Sequence, residues 1–491
     1  MFGRGIQVYC GCDQDVTPGD RKVAVIGLGY VGLPLAALCA KKGYPVTGLD
    51  TNPGIVASLA GGKCHIRDAA AERLLNEALA SNNFSVTTDS GEIADCSIYL
   101  VCVPTPVDAN NEPDLGPLES ACRLLAPLLQ EDDLVVVEST VFPGTCEQVV
   151  APLLEQISEL EAGSDFHLAH CPERINPGDP FWTSENIPRV VGATSEAGLD
   201  LAARFYASIL GGAILNVREI KQSLYPKFRE TAEGLHISQV PLGSVTKMNS
   251  IRDAEAVKAM ENTVRDVNIA FVNELARISD ALDLDVVDII DGMATKPFGK
   301  GPFYPGVGVG GHCIAVDPEW LKAASKKAGY MPEMIQLARM TNNGMPEYSI
   351  SLLQDLLNQR GYPVNGTTVA ILGVAYKRNV DDVRGSPFFR FKNLLQTKGA
   401  LINVYDSWIR SENTAGSLQD AVNNAKAVVI ITEHTDMIDE LRHLNLADTE
   451  VEIVLDGRNC LDADWVRNQG LLYRGIGRRS LVQARPVIDE N

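Results

Sequence analysis

One cysteine stands after a run of glycines, in a pattern that favours covalent chemistry. Cys313 ends the segment Pro-Gly-Val-Gly-Val-Gly-Gly-His-Cys, and the residues after it predict a helix whose first turn contains this cysteine. Backbone amides and the helix dipole would lower the pKa of the thiol below its usual value of about 8.5. Asp317 follows four residues later, on the same helical face. His312 is adjacent to the cysteine and points away from it on a helix, so we expect a positioning or structural role for it.

A lysine and an asparagine one helical turn apart form a second candidate. Lys258 and Asn262 lie in a long, proline-free segment with helical periodicity, so their spacing of four residues puts them on one face. An ammonium group and an amide donor together can stabilise an alkoxide or a tetrahedral oxyanion. Taken alone, a lysine on an amphipathic helix would more often be a solvated surface residue.

Polar side chains follow two apolar segments that read as strands. Ser139 and Thr140 come after Leu134–Val137, and Glu173 and Arg174 come after another such segment. Ligands meet parallel sheets at the carboxyl ends of the strands. We therefore expect these side chains to face a ligand.

A glycine turn near the start of the chain has the pattern of a dinucleotide site. Gly27, Gly29 and Gly32 form GxGxxG between a predicted strand and a predicted helix, and Asp50 ends the next strand. The glycines permit a tight turn, a close approach of the pyrophosphate and close packing of helix on strand. Asp50 would accept hydrogen bonds from the ribose hydroxyls and repel a 2′-phosphate, so the pattern predicts NAD rather than NADP.

A second turn of the same type differs in its chemistry. Gly373-Val-Ala-Tyr-Lys377 follows another apolar strand but lacks the three glycines and offers a lysine. This suggests another phosphate ligand, such as the nucleotide of a substrate.

Alternating strands and helices predict an α/β fold with two Rossmann-like domains joined by a central helical domain with one long helix. The expected limits are 21–218 for the NAD domain, 219–345 for the linker and helical domain, and 346–480 for the second Rossmann-like domain. The long helix is expected at Ala254–Leu284. The segment Glu219–Met248 has weak periodicity, and the ends of the chain read as tails.

Composition excludes several classes of protein. With 43 basic and 63 acidic residues the formal charge is −20, which disfavours nucleic acid and anionic membranes as partners. The uncharged stretch Val23–Ala40 is long enough to be considered as a membrane helix, but its glycines and proline divide it into strand, turn and helix.

Cysteine usage indicates a reducing compartment. The chain has 11 cysteines without a disulfide framework or paired CxxC motifs, and its N-terminus lacks the apolar run of a signal peptide, so we expect a cytoplasmic protein. His167, His170 and Cys171 lie close in sequence without a suitably spaced fourth ligand. We predict no metal site.

Taken in order, these motifs resemble the UDP-glucose/GDP-mannose dehydrogenase family over nearly all of residues 22–478. They are the GxGxxG turn, Val103-Pro-Thr-Pro106, Ser139-Thr-Val-Phe-Pro-Gly-Thr145, Cys171-Pro-Glu173, Ala254-Glu-Ala-Val-Lys258 with Asn262, Gly310-Gly-His-Cys313 with Asp317, Ala375-Tyr-Lys377 with Arg384-Gly-Ser-Pro387, and Asp456-Gly-Arg458.

The resemblance implies a four-electron oxidation with two NAD+ in succession, in which Cys313 forms a thiohemiacetal and then a thioester. By similarity, Lys258 and Asn262 would stabilise oxyanions, Asp317 and Thr140 would position or activate water, and Glu173 would act as general base. The family's helical domain mediates dimerisation, so a homodimer or a higher homo-oligomer is expected.

The resemblance also assigns binding residues. NAD would be held by Gly27, Gly29, Tyr30, Val31, Gly32, Asp50, Pro104, Thr105, Ser139 and Thr140. The UDP-sugar would be held by Glu173, Arg174, Lys258, Asn262, Gly310, Gly311, His312, Lys377, Arg384 and Arg458.

The motif around the cysteine narrows the sugar. Gly-His-Cys-Ile followed by Val-Asp-Pro resembles the branch acting on UDP-N-acetylhexosamines, most closely UDP-N-acetyl-D-mannosamine dehydrogenases. UDP-GlcNAc, UDP-GalNAc and UDP- or TDP-glucose stay open. The chain departs from common family patterns at His65-Ile-Arg67-Asp68, at Pro177 and at Gly385, and Glu219–Met248 is longer than expected.

Two other interpretations compete. A two-electron β-hydroxyacid dehydrogenase also combines a glycine-rich Rossmann turn with a catalytic lysine, but it explains neither Cys313 nor the second α/β domain. A catalytically silent NAD- or nucleotide-sugar-binding regulator would share the fold. The intact set Lys258, Asn262, Cys313 and Asp317 favours an enzyme.

Overall fold

The computed structural model describes residues 21–107, 113–175, 181–217, 241–296, 302–311 and 313–478. Its contacts divide the chain into two compact units, Met1–Glu261 with Glu319–Tyr330, and Asn262–Pro318 with Met331–Asn491. Each unit contains its own sheet.

The sheet of the first unit has nine strands in the order β3-β2-β1-β4-β5-β6-β7-β9-β8. Their bounds are β1 Val23–Ile26, β2 Val46–Leu49, β3 Phe84–Thr87, β4 Ile98–Val101, β5 Leu134–Val137, β6 His167–His170, β7 Arg189–Ala193, β8 Ile214–Asn216 and β9 Val245–Lys247. Neighbouring strands are parallel except that β7 runs antiparallel to β6. The start of β7 therefore lies at the edge where β5 and β6 end.

Helices cover this sheet because its central strands are apolar on both faces. The residues of β1, β4 and β5 are all buried and contribute to two core clusters, which places the core on either side of the sheet. The α-helices are α1 Gly32–Lys41, α2 Pro53–Ala60, α3 Ala69–Ala80, α4 Gly116–Leu125, α5 Ala151–Ser158 and α6 Glu196–Leu210, with 3-10 turns at Ser90–Ile93 and Ala126–Leu128 and a π-helix at Cys146–Val150.

The long helix α7, Ile251–Leu282, begins in the first unit and continues in the second. It starts three residues before the prediction because Ser250 caps it, its hydroxyl accepting the amide of Asp253 at 3.1 Å. It stops two residues early, and Asp283 then adopts a positive φ of 55°. The remaining helices are α8 Val286–Ala294, α9 Asp317–Lys327, α10 Glu333–Asn343 and α11 Met345–Gln359.

The second unit carries a five-stranded parallel sheet in the order β11-β10-β12-β13-β14. Its strands are β10 Thr368–Leu372, β11 Leu401–Tyr405, β12 Ala427–Ile430, β13 Ile453–Asp456 and β14 Leu472–Gly475, and its helices are α12 Pro387–Thr397, α13 Leu418–Asn423, α14 Thr435–His443 and α15 Ala463–Arg467, with 3-10 turns at Arg410–Glu412 and Leu446–Asp448.

The predicted fold class is confirmed: one Rossmann-type sheet is formed by residues before the long helix and the other by residues after it. The first sheet gains strands that periodicity did not predict, including β9 beyond the expected limit at residue 218. The domain limits themselves stay predictions. Several positions named in the sequence analysis lie outside the described residues. They are His312, Pro177, both tails and residues 218–240, which include most of the segment Glu219–Met248. None of the described helices is both long and apolar enough to cross a membrane.

Candidate active site

The predicted dinucleotide turn has the geometry that its glycines suggest. Gly27 has a φ of 92°, and a Cβ on Gly32 would lie 1.8 Å from the carbonyl oxygen of Gly27. A Cβ on Gly29 would meet no protein atom within 4 Å, so this position opens onto free space. No side chain caps α1, and Tyr30 and Val31 form the turn that leads into it, with Val31 at the N-cap position. The turn therefore leaves room and amide donors for a pyrophosphate.

Asp50 lies against this turn. Its carboxylate accepts the amide of Leu28 at 2.9 Å and that of Asn52 at 2.8 Å. His65, at a position where the chain departs from the patterns of the family it resembles, lies close by. Burial lowers the pKa of His65, while the Asp50 charge and a hydrogen bond to the backbone of Leu28 oppose this. The acidic group is thus fixed where the ribose of a dinucleotide would be recognised.

Two loops with predicted cofactor-binding residues are joined to each other. The Thr105 hydroxyl donates to the carbonyl oxygen of Thr140 at 2.6 Å, and the Ser139 hydroxyl donates to that of Val103 at 2.7 Å. Pro104 is exposed between them. Since these loops follow the neighbouring strands β4 and β5, their hydrogen bonds bring the predicted residues to one edge of the sheet.

Glu173 has partners that a general base would not be expected to have. One carboxylate oxygen accepts the amides of Arg174 at 2.6 Å and Ile175 at 2.9 Å, and the other is paired with the buried Arg189. Arg189 also bonds Glu138 at 3.0 Å. Both carboxylate oxygens of Glu173 therefore have partners within the protein. The geometry therefore favours a positioning role for Glu173 over the predicted one.

The side chain of Arg174, predicted to bind substrate, also forms hydrogen bonds within the protein. Its Nε donates to Glu261 at 3.1 Å and its Nη1 to the carbonyl oxygen of Pro188 at 3.1 Å. Glu261 lies on α7, so Arg174 ties the loop after β6 to the long helix.

Another buried carboxylate holds the loop after β5 against α7. Glu255 accepts the amide of Cys146 at 2.8 Å and that of Gly144 at 2.5 Å. Lys258 follows one turn later and is nearly buried, at 9% exposure. The start of α7 thus has a fixed place relative to the Ser139–Thr145 motif, which positions the lysine.

Two predicted catalytic residues meet directly in the second unit. The Asn262 amide donates to the Asp317 carboxylate at 2.5 Å, although 55 residues separate them. Both side chains are buried. The hydrogen bond orients the amide and keeps a carboxylate next to the cysteine segment.

The structure corrects the predicted helix start at the cysteine. Cys313 lies in a turn, and α9 begins only at Asp317. Pro318 accounts for this, since proline lacks an amide hydrogen and fits the first turn of a helix. The carbonyl oxygen of Cys313 accepts the amides of Val316 at 3.1 Å and Asp317 at 2.8 Å, so the turn leads directly into the helix. The lowered thiol pKa stays a prediction.

The glycines before Cys313 allow a close contact with two other predicted motifs. A Cβ on Gly310 would lie 2.7 Å from the oxygen of Gly385, and one on Gly311 would lie 2.8 Å from the ring of Tyr376. The Gly311 amide donates to the carbonyl oxygen of Arg384 at 3.0 Å. Three motifs that are up to 75 residues apart in sequence thus form one site.

One cation of this site lies near the Cys313 sulfur. Burial, together with the charges of Asp382 and Cys313, raises the pKa of Tyr376 to about 12. The pKa of Arg384 is raised chiefly by its hydrogen bonds to Asp382 and to a smaller extent by Cys313. Arg384 therefore places a cation within electrostatic reach of the sulfur. Its bidentate contacts to Asp382, at 2.7–3.0 Å, fix that cation in place.

Arg458 and Lys377 complete the predicted substrate set of the second unit. The Arg458 guanidinium bonds Glu433 at 2.8 Å and lies over Gly306, where a Cβ would be 2.4 Å from Nη1. Lys377 is half-buried in the turn after β10, next to Tyr376.

A series of hydrogen bonds between buried polar groups ends at the glycine segment that precedes Cys313. The Gly306 amide donates to Asn273 at 3.0 Å, Asn273 donates to Asn342 at 2.8 Å, and Asn342 donates to Asp266 at 2.7 Å. Arg339 closes the chain with a 2.7 Å bond to Asp266. Helices α7 and α10 are in this way connected to the segment that leads to the cysteine.

Sequence patterns missed several of these supporting residues. Arg189 and Asn273 belong to none of the motifs, and the visible signal for Arg189 was a charged residue at the start of the apolar strand β7. Glu255 lies inside the motif Ala254-Glu-Ala-Val-Lys258 but was given no role there. In the described residues no group of three or more His, Cys, Asp or Glu side chains is placed to hold a metal ion.

Comparison with protein families gives three consecutive matches. Residues 21–210 match the NAD binding domain of the UDP-glucose/GDP-mannose dehydrogenase family, residues 252–344 its central domain and residues 370–463 its UDP binding domain. These matches contain the glycine turn, the long helix with the cysteine segment, and the second turn, respectively.

Individual relatives cover most of the chain. The UDP-N-acetyl-D-mannosamine dehydrogenase of Pyrococcus horikoshii is 33% identical over 461 residues, which are 93% of this chain and 99% of the relative. A UDP-N-acetyl-D-glucosamine 6-dehydrogenase of Pseudomonas aeruginosa is 36% identical over 395 residues, 80% of this chain and 84% of the relative.

Solved structures agree with the sequence matches. The structure of the Pyrococcus horikoshii UDP-D-ManNAc dehydrogenase covers 94% of this chain and 100% of its own, with a TM-score of 0.81 and 33% identity. The chain therefore belongs to the UDP-glucose/GDP-mannose dehydrogenase family and is an NAD-dependent nucleotide-sugar dehydrogenase.

Proposed function

We propose that the protein oxidises a UDP-N-acetylhexosamine at C6 to the uronate through a covalent intermediate on Cys313, and that UDP-N-acetyl-D-mannosamine is its substrate. The observation that carries this proposal is the cysteine turn, packed by Gly310 and Gly311 against Tyr376 and within electrostatic reach of Arg384. A two-electron alcohol oxidation would not need this nucleophile. UDP-GlcNAc is the alternative substrate, since relatives named for each sugar match the chain.

Lys258 and Asn262 stabilise the negative oxygen that develops at C6 when the alcohol loses its proton. Gly27, Gly29, Gly32 and Asp50 would hold NAD+ at the glycine turn of the first unit, and the bound cofactor would supply the hydride acceptor for each of the two oxidations. Cys313 attacks the aldehyde carbon as a thiolate, forms a thiohemiacetal, and becomes a thioester when the second hydride leaves. The same cation and amide stabilise the oxygen in each of these states.

Asp317 then directs a water molecule at the thioester, and the carboxylate and the free thiol are formed. Its hydrogen bond to Asn262 and its place four residues after the cysteine support this role. The overall balance is one primary alcohol, two NAD+ and one water giving one carboxylate, two NADH and three protons. Thr140 positions water or cofactor, and Glu173 fixes its own loop.

Lys377, Arg384 and Arg458 recognise the nucleotide and the phosphates. They lie in the turns after β10 and β13 or in the loop before α12, which are the carboxyl side of a parallel sheet where ligands bind. Arginine and lysine are the side chains suited to a diphosphate.

The protein acts as a homodimer through an apolar face of the second unit. Val264, Phe271 and Ile278 repeat every seven residues along α7 and are each 45% or more exposed. Met334 and Leu337 on α10 are more exposed still, at 73% and 62%. A second copy of the same face is a suitable cover for exposed apolar helices. A cytoplasmic location and a product destined for a surface polysaccharide complete the proposal.

The test is a comparison of substrates at limiting concentration. Purified protein with excess NAD+ receives UDP-ManNAc, UDP-GlcNAc, UDP-GalNAc or UDP-glucose, and NADH is counted per sugar consumed. We expect two NADH per UDP-ManNAc and at least tenfold lower kcat/KM for the other sugars. Preference for another UDP-sugar corrects the substrate, and one NADH per sugar refutes the four-electron reaction. No turnover with any of the four supports a regulator.

A further inference from the structure

A buried charged cluster lies beneath the loops of the first unit, and two of its members, Arg189 and Glu138, have no part in the reaction described above. Arg189 is fully buried and is bonded to Glu138 at 3.0 Å and to Glu173. The Tyr206 hydroxyl donates to the other oxygen of Glu138, and the guanidinium carbon of Arg189 lies 5.6 Å from the Tyr206 ring centroid. Burying three charged groups is costly, so their retention calls for an explanation.

The direction of β7 explains how the arginine reaches this position. Ala169 pairs with Ala193 and His170 with Gly192 in antiparallel register. Continued by three residues, this register places Arg189 opposite Glu173, beyond the end of β6. A parallel strand would have placed its first residue at the opposite edge of the sheet.

Each carboxylate belongs to a loop that carries predicted site residues. Glu138 directly precedes Ser139 and Thr140, and its amide donates to the carbonyl oxygen of Val101 at 2.9 Å. Glu173 accepts the amides of Arg174 and Ile175 with the oxygen that does not face Arg189. One guanidinium therefore joins two loops that have no other common side-chain partner among the hydrogen bonds described above.

We propose that Arg189 is a positioning residue, which acts through Glu138 and Glu173 to hold the Ser139–Thr140 loop and the Glu173–Ile175 loop in the arrangement that cofactor binding and oxidation require. The inference rests on the proposed function for its kinetic consequences. The planar guanidinium can bond two carboxylates at once, which lysine cannot do with the same geometry.

The net charge of the cluster depends on pH, because Glu138 can gain or lose a proton near neutral pH. Burial raises the pKa of Glu138 to about 7, against the opposing effects of Arg189 and Tyr206. With both carboxylates ionised the cluster carries a net negative charge, and with a proton on Glu138 it is neutral. The groups around Glu138 are Arg189, Glu173, Tyr206 and the buried thiols of Cys39, Cys102 and Cys171.

Three variants test the proposal. Arg189→Lys keeps a cation but loses the bidentate bridge. Glu138→Gln keeps hydrogen-bonding groups toward Arg189 and Tyr206 but cannot ionise. Lys247→Met is the control. It breaks the part-exposed ion pair between Lys247, on the strand β9 next to β7, and Asp200 on α6. None of the described side-chain hydrogen bonds joins Lys247 to a proposed site residue.

The measurements are kcat and KM for NAD+ and for the UDP-sugar between pH 6 and 9, and NADH affinity by fluorescence without sugar. We expect Arg189→Lys to lower kcat/KM for NAD+ at least tenfold and to weaken NADH at least threefold, while Lys247→Met stays within twofold of the wild type. A smaller loss in Arg189→Lys, or an equal loss in the control, overturns the proposal.

If Arg189→Lys does not fold, Glu138→Gln decides. We expect it to fold and to lose an ionisation near neutral pH that the wild type shows in kcat/KM for NAD+, whereas identical profiles overturn the proposal. A purely structural cluster would not move this profile. A wild type inactive on every UDP-sugar would end the proposed function alone, since NADH affinity would still be measurable in each variant.

Discussion

Replacement of Glu255 by alanine should destabilise the first unit strongly. Glu255 is fully buried and is the acceptor for the amides of Gly144 and Cys146. A buried amide without a partner costs about 1–3 kcal/mol, so two cost about 2–6 kcal/mol. Removal of a buried carboxylate recovers part of this, because burial raises the pKa of Glu255 against the two amides. We expect a net loss of about 2–4 kcal/mol in the free energy of unfolding.

Thermal unfolding monitored by circular dichroism measures this loss. For a unit of this size, 1 kcal/mol corresponds to about 2–4 °C, so the first transition of Glu255→Ala should fall by about 4–16 °C. Glu147→Ala is the matched control, since Glu147 forms an exposed ion pair with Arg252, for which about 0–1 kcal/mol is expected. A shift for Glu255→Ala no larger than that of Glu147→Ala would refute the reasoning.

Further predictions concern the cofactor turn, pH and assembly. Gly29→Ala should keep the melting temperature, because its Cβ meets only open space within the protein, but it should weaken NADH binding at least tenfold, as measured by calorimetry. Gly32→Ala should lower the melting temperature, because its Cβ would lie 1.8 Å from a carbonyl oxygen. Since burial raises the pKa of Glu138 from 4.5 to about 7, the folded protein holds a proton that the unfolded chain releases. The stability of Glu138→Gln should therefore rise relative to the wild type as pH increases from 5 to 7.5, and a constant difference in melting temperature would contradict this. The double variant Met334→Glu and Leu337→Glu should convert the dimer to monomers, as measured by sedimentation equilibrium. An unchanged mass would exclude this face as the dimer interface.

Local motifs were the part of the structure that the sequence predicted best. The glycine turn lies between β1 and α1 as expected, because its geometry depends on neighbouring residues and on the positive φ of Gly27. The long helix was also predictable, since its periodicity extends over 32 residues. Only its ends differed, where Ser250 caps it and Asp283 ends it.

Contacts between distant segments were less predictable. The sequence grouped Cys313 with Asp317, but the bond between Asn262 and Asp317 depends on how α7 meets the cysteine turn. The role of Arg189 depends on the antiparallel direction of β7, which an apolar run of residues does not reveal. For the same reason the predicted general base Glu173 could not be recognised from sequence as part of an ion pair.

The covalent role of Cys313 is the central claim, and a single-turnover experiment with Cys313→Ser tests it most directly. Wild type and variant receive limiting UDP-ManNAc with excess NAD+, and NADH is followed together with the mass of the sugar product. The account predicts two NADH and a uronate from the wild type, and no uronate from the variant, whose reaction is abolished or stops at the aldehyde. Two NADH and a uronate formed by the variant at the wild-type rate would contradict it.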